Sequence, residues 1–245
     1  MRPVIHLEDR GAVALITIDR PDRRNALDLG SLDELLAVHG GTDAARVVVI
    51  TGAGGHFCAG ADLSGVEDRA FTDRLREVLA ALRDDPRPHL AAVDGAALGL
   101  GTQLAAACDV RVATPAARFG IPAARLGLMV DHWTIERLAA LAGAGPARAM
   151  LVAAETYGGE EAHQHGFVQR LGDLDAALGW ADEIAALAPL TMAGHKLALN
   201  RLEMPVGRGE HPDVHAAWEA AWGSEDLQEG IAAFRERRRP HFKGR

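Results

Sequence analysis

The strongest constraint on the fold is the run RVVVIT at residues 46–51, which leads directly into the glycine-rich segment GAGGHFCAGAD at 52–62. A short run of β-branched residues that is apolar at successive rather than alternate positions has no face for water. It predicts a strand with helices packed above and below it. The order then recurs: HLAAVDG reads as a second buried strand, GAALGLG at 95–101 as a second glycine loop, GLGTQLAAAC as a helix starting on glycines, and DVRVAT as a third strand. Strand, loop, helix, strand is the order of an α/β fold. Upstream, VIHLED and AVALITIDR alternate around Gly11 and predict a β-hairpin, while Leu32, Leu35, Leu36 and His39 fall on one helical face. A further helix is expected near 67–83. After about Pro122 the spacing is almost wholly helical, in WTIERLAALAG, GPARAMLVAA, EEAHQHG, DLDAALGWADEIAAL, TMAGHKLALNRL and VHAAWEAAW. A core at 1–190 with a helical region at 191–245 is the expected organisation, in keeping with a length of 245 residues, which suits one core and an appendage.

Composition narrows the function. A formal net charge of -8 argues against nucleic acid as a partner, and the one basic cluster is the tail at 235–239. No apolar run is long enough to span a bilayer, and MRPVIHLEDR has no signal-peptide core, so a cytoplasmic location is expected. The two cysteines, Cys58 and Cys108, form no CxxC pair, which fits a reducing compartment without disulfides. His56 and Cys58 find no second ligand pair of metal-binding spacing and read as a packed loop histidine and a buried thiol, so no metal is expected.

Both glycine loops are entered by a strand and left by a helix. A helix start offers free N–H groups and the positive end of its dipole, suited to an oxyanion or phosphate, and glycine lets a ligand come close to the backbone. Tight turning without binding is the plainer use of such loops. The dinucleotide GxGxxG spacing, the GxxxxGK[ST] phosphate loop and the GxSxG elbow are all absent from the sequence.

ITIDRPDRRNAL, RVVVITGAGGHFCAGADL, AAVDGAALGLGTQLAAACDVRVAT and ARFGIPAARLGL together resemble the crotonase (enoyl-CoA hydratase/isomerase) superfamily, from about residue 10 to 170. GFVQRL and FRERRRPHFKGR are similar in kind to its later segments. The resemblance implies an α/β spiral of ββα units with a helical C-terminal trimerisation region, assembled as a homotrimer or a dimer of trimers. It implies an acyl-CoA thioester as ligand, with no other cofactor, whose carbonyl is held by two backbone N–H groups. These fall on Ala61 and Leu100, the latter where the family usually has a glycine. The adenine is expected against Ala59 and Asp62–Leu63, with Ala26, Gly60, Gly99 and Gly101 around the ligand. Arg24 matches a phosphate-contacting position, its plainer reading being a solvated cation.

The departures bear on activity. Where the hydratases carry two glutamates that activate water, this sequence has Gln103 and Ala123. Gln exchanges no proton near neutrality and Ala exchanges none at all. Asp131 aligns with a working aspartate of certain relatives, and also suits an N-cap for WTIERLAALAG. His132-Trp133 replaces the family's Gly-Gly, which casts Trp133 as a wall of the acyl channel and His132 as a neighbouring base or a solvated residue. Trp218 and Trp222 suit trimer contacts, closure over a neighbour's CoA, or an intrachain core, with Phe234 and Lys243 in reach of the ligand.

The leading expectation is an acyl-CoA-binding protein of fatty-acid metabolism with little or no hydratase activity, similar to a subgroup found beside lipid-synthesis enzymes, one of which would be its partner. The alternatives are an enoyl-CoA isomerase with Asp131 as base and a conventional enoyl-CoA hydratase.

Overall fold

The structure is a computed structural model that describes residues 3–62, 69–203, 219, 222–238, 240 and 241. The expected hairpin is present: β1 (Ile5–Arg10) pairs antiparallel with β2 (Val13–Ile18). Gly11 turns the chain at φ +78° and its N–H is taken by Asp9 Oδ1 at 2.8 Å. β3 (Val47–Gly52) lies parallel to β2, followed by β4 (His89–Val93), β6 (Val110–Ala113) and β9 (Arg170–Leu171). A second sheet has the order β5 (Ala96–Leu98), β7 (Arg118–Gly120), β8 (Thr156–Gly158).

Successive residues of β3 feed two different cores, which explains why the run is apolar throughout. Val48 and Ile50 pack with Leu32 and Leu35 of α1 (Leu29–Gly40), Val78, Leu79 and Leu82 of α2 (Arg69–Asp84), and Leu104 of α3 (Leu100–Ala107). Val47 and Val49 face the other way, onto Ala177, Ala181 and Ala185 of α7 (Leu174–Ala185). Each fully buried aliphatic side chain of this kind contributes about 1.5–3 kcal/mol over an exposed one, so a charge placed on either face of β3 would break one of the two layers.

α4 (His132–Ala142), α5 (Ala144–Val152), α6 (Gly159–Gln164) and α8 (Pro189–Glu203) fall where helical spacing predicts them. α9 (Glu225–Arg235) completes the described helices. VHAAWEAAW lies outside the described residues except for Glu219 and Trp222, as do Leu63, Trp218 and Lys243. Two expectations need correction. Part of the second glycine segment is a strand, β5, and the region after Pro122 contains β8 and β9. Strands of two or three residues are too short to show a period of two, and they exist here because a neighbouring edge offers hydrogen bonds: Phe119 pairs with both Ala97 and Tyr157. No described helix is long and apolar enough to cross a membrane.

Candidate functional site

A cavity of about 510 Å³ opens where the two glycine segments meet. Their alignment comes from local hydrogen bonds. Cys58 N–H donates to Ala96 O at 2.9 Å and Leu98 N–H to Cys58 O at 3.0 Å, which sets the two segments side by side. Gly101 permits this contact, because a Cβ there would meet Cys58 O at 2.0 Å. Gly60 has φ +120°, a backbone that L side chains rarely adopt. Asn25 anchors the outer wall: it is fully buried, its Oδ1 accepts from Arg20 N–H at 2.8 Å, and its Nδ2 donates to Ala53 O at 2.8 Å and His56 O at 2.6 Å. Its positive φ (59°) follows that of Arg24 (50°), and a short polar side chain is the kind that tolerates such a turn. Sequence reasoning missed Asn25; its place beside two arginines in RRNAL was the available signal.

Ala61 and Leu100 both line the cavity. Among the described residues, neither N–H donates a hydrogen bond. Leu100 is the first residue of α3, a position whose N–H has no partner within its own helix. Its φ is not positive, and its side chain is buried in the core, so leucine is accommodated where the family usually has glycine.

Gln103, Ala123 and Asp131 also line the cavity. Gln103 is buried and its Nε2 donates to Thr134 Oγ1 at 2.9 Å. That hydroxyl donates to Asp131 Oδ1, which also accepts the Thr134 N–H at 3.2 Å. Asp131 therefore caps α4. Thr134, the hinge of this chain, was not singled out from sequence; the motif DxxT, a capping carboxylate followed by a hydroxyl, carried the signal. Asp62 is the other carboxylate on the described wall, and its Oδ2 lies 3.1 Å from Arg20 Nη1. The wall is otherwise largely apolar, with Phe71, Leu75, Leu79, Ile121, Leu128 and Val130 among its residues.

Arg24, Ala26, Ala59, Gly60 and Gly99 belong to the same lining, with Arg24 exposed at its rim. Gly101, His132 and Trp133 do not. His132 Nε2 lies 3.1 Å from Glu136 Oε1 along its own helix. Trp133 packs on the core, with Arg83 stacked 5.8 Å from its ring centre. The acyl-channel role expected for Trp133 is thus not the one its side chain takes, because as second residue of α4 it faces α2 instead. Trp222 borders the cavity of its own chain and donates from its indole to Met129 O at 2.9 Å, and Phe234 lies on the same rim. Cys58, beneath the wall, is fully buried; burial pushes its thiol up to about 12 against a weak bond to Gly60 O, so it supplies no thiolate. His56 Nδ1 receives the Ala96 N–H at 3.2 Å and acts as a loop clip.

The family model described as enoyl-CoA hydratase/isomerase matches residues 8–245. The "Probable enoyl-CoA hydratase echA6" of Mycobacterium tuberculosis (strain CDC 1551 / Oshkosh) is 41% identical over 251 residues, covering 98% of this chain and 100% of that protein. The 2,3-dehydroadipyl-CoA hydratase of Escherichia coli K12 is 34% identical over 244 residues, covering 95% and 96%. Among solved structures, an enoyl-CoA hydratase/carnithine racemase from Magnetospirillum magneticum superposes with a TM-score of 0.78 at 30% identity over 100% of this chain and 97% of that one. Methylmalonyl-CoA decarboxylase complexed with 2S-carboxypropyl CoA reaches 0.90 over 100% of both chains at 24% identity, a likeness of fold.

Proposed function

Because the chain belongs to the enoyl-CoA hydratase/isomerase family, we propose that its cavity binds a fatty acyl-CoA thioester and hydrates it poorly or not at all. The observation that carries this reading is the pair Gln103 and Ala123 on the cavity wall, at the positions where the resemblance places the hydratases' glutamates. A carboxamide held by Thr134 and a methyl group neither take nor give a proton. Positioned acid–base groups typically supply ~10²–10⁴-fold each, so a site lacking both falls far below a working hydratase.

The rest of the wall supports thioester binding. The N–H groups of Ala61 and Leu100 are the donors for the carbonyl oxygen, in the manner of an oxyanion hole. The apolar side chains of Phe71, Leu75, Leu79, Ile121, Leu128 and Val130 suit the acyl chain, and Arg24 at the rim suits the nucleotide's phosphates. The exposed leucines of α8 and of the turn leading into it, Leu187, Leu190, Leu197 and Leu199, favour association with further copies of the chain, a homotrimer or a dimer of trimers.

Titration calorimetry with a long-chain acyl-CoA, alongside a crotonyl-CoA hydration assay, tests the proposal. Binding with hydration at background supports it; absence of binding, or rapid hydration, overturns it. A second reading has its own observation: Asp131 is a carboxylate on the cavity wall, which one-base isomerisation of an enoyl-CoA requires. Turnover of a 3-enoyl-CoA that is lost in Asp131→Asn would establish that reading.

A further inference from the structure

His39 near the end of α1, Asp85 just after α2 and His89 at the start of β4 converge away from the acyl cavity, and none of the three lines it. His39 Nε2 lies 2.9 Å from His89 Nε2 and 3.1 Å from Asp85 Oδ2, and His89 Nε2 lies 3.9 Å from Asp85 Oδ2. All three side chains are buried or nearly so: His89 is 0% exposed, and the side chains of His39 and Asp85 are 10% and 7% exposed. We propose that His39, Asp85 and His89 form a binding site for a divalent transition-metal ion, zinc by preference, that clamps α1 and the segment after α2 to β4.

The distances carry the argument. A point equidistant from three atoms so separated lies about 2.0 Å from each. Zinc binds imidazole nitrogen at about 2.0–2.1 Å and carboxylate oxygen at about 2.0–2.2 Å. Two imidazoles and one carboxylate suit zinc and its neighbours in the transition series, and do not suit calcium or magnesium, which take oxygen ligands.

The surroundings match those of a metal site on two further counts. His89 Nδ1 lies 3.0 Å from Arg87 O. A carbonyl only accepts, so Nδ1 carries the ring proton and leaves the Nε2 lone pair directed into the cluster. A ligating histidine whose other nitrogen donates to a backbone carbonyl is the usual arrangement, and ligating carboxylates are themselves hydrogen-bonded. Asp85 satisfies the second condition: Oδ1 accepts from the Arg87 N–H at 2.8 Å and from Nε at 2.9 Å, and Oδ2 accepts from Nη2. An ionised carboxylate offers about four acceptor positions, so Oδ2 can keep Arg87 and still ligate.

Without metal, one proton does the same work. His39 Nε2–H faces both His89 Nε2 and Asp85 Oδ2, and the ion takes its place once that proton moves to Nδ1 of the same ring. Of the two nearby cations, one is neutralised outside the cluster and the other by Asp85 itself. Lys196 Nζ is 2.8 Å from Asp109 Oδ2, and Arg87 feels Asp43 as well as Asp85. Asp109 thus takes up the lysine charge, whereas the Arg87 charge is shared between Asp85 and, to a lesser degree, Asp43. Sequence spacing concealed the set, because its members stand at 39, 85 and 89 with no short motif linking the first to the others.

The test is titration of chelator-treated full-length protein with Zn²⁺ by calorimetry, with Co²⁺ as a spectroscopic probe. One ion per chain at micromolar affinity or better is expected, with visible cobalt bands of a low-coordinate nitrogen–oxygen set. Zinc at ~100 times its Kd should raise Tm by roughly 5–10 °C. His39→Gln and Asp85→Asn should weaken binding by at least ~100-fold, beyond the usual cost of losing an outer partner. Failure of the wild type to bind zinc overturns the proposal, as does the spectrum of aquated cobalt. Zinc bound equally well by folded variants also overturns it, since the ion then sits on other residues. Should either variant fail to fold, the wild-type cobalt spectrum decides.

Discussion

Gln103 Nε2 donates to Thr134 Oγ1 at 2.9 Å, and the same hydroxyl donates onward to Asp131 Oδ1. The direction of this relay is fixed by chemistry: the carboxylate can only accept, so the hydroxyl proton points to Asp131 and its lone pair receives the carboxamide. The side chain at 103 must therefore be a donor.

Gln103→Glu reverses that requirement. An ionised carboxylate at position 103 has nothing to give Thr134, whose one proton is then contested by two carboxylates. Unfolding in urea should show a loss of about 1–3 kcal/mol, the usual cost of a buried polar group left without its partner. The single variant should still fail to hydrate crotonyl-CoA, since Ala123 is unchanged. Gln103→Glu combined with Ala123→Glu should raise hydration at least ~10²-fold above the single variant.

Asp131 is expected to behave as a cap in stability measurements. Asp131→Ala removes the acceptor for Thr134 N–H and should cost about 1 kcal/mol, whereas Asp131→Asn retains an acceptor and should cost less than half as much. Equal losses in urea unfolding would show that charge, and not capping, is what the position contributes.

Leu100→Pro deletes one backbone donor at a helix position that accepts proline well. Loss of a buried leucine side chain should lower stability by about 2–5 kcal/mol or less, depending on how far the proline ring fills the space. In folded protein, affinity for an acyl-CoA should fall roughly 3–10-fold, the worth of one neutral hydrogen bond. Affinity for coenzyme A lacking an acyl group should not change. A parallel loss for both ligands would sever Leu100 from the thioester carbonyl.

The two thiols should be silent. Cys58 and Cys108 are both fully buried, and burial pushes each up to about 12. A thiol-exchange reagent should titrate neither in the native protein, even at a pH near ~9 where an ordinary cysteine is substantially ionised, and should titrate both in denaturant.

Leu190, at 88% exposed, and Leu197 mark the apolar side of α8. Light scattering of the wild type should give a mass of three chains or a multiple of three. Leu190→Asp with Leu197→Glu should shift the population toward single chains. A wild type that is already monomeric would remove this face from consideration as a contact surface.

The two-sided burial of β3 was legible in the sequence because four consecutive apolar residues leave no solvent face, and both glycine segments were legible because close backbone approach admits few other residues. β5, β7 and β8 were not, since three residues carry no period and their pairing is decided by which edge lies nearby. The same holds at the site. Ala61, Leu100, Gln103 and Ala123 could be placed through the resemblance, whereas Thr134 and Asn25 act through hydrogen bonds that appear only once distant segments meet. Trp133 departed from expectation because its position in α4 points it at Arg83 and the core. His39, Asp85 and His89 are the extreme case, a convergence made wholly by tertiary structure.

Trp222 bonds to Met129 across 93 positions of sequence, and Gly230 comes so close to Leu126 that a Cβ there would meet its carbonyl oxygen at 2.2 Å. One side of the cavity is therefore supplied by Trp222 and Phe234, far along the chain from the two glycine segments. A chain lacking residues 222–235 would keep Ala61 and Leu100 but lose the wall that Trp222 and Phe234 contribute. A protease that clipped α9 away would therefore open the cavity on that side while sparing both sheets.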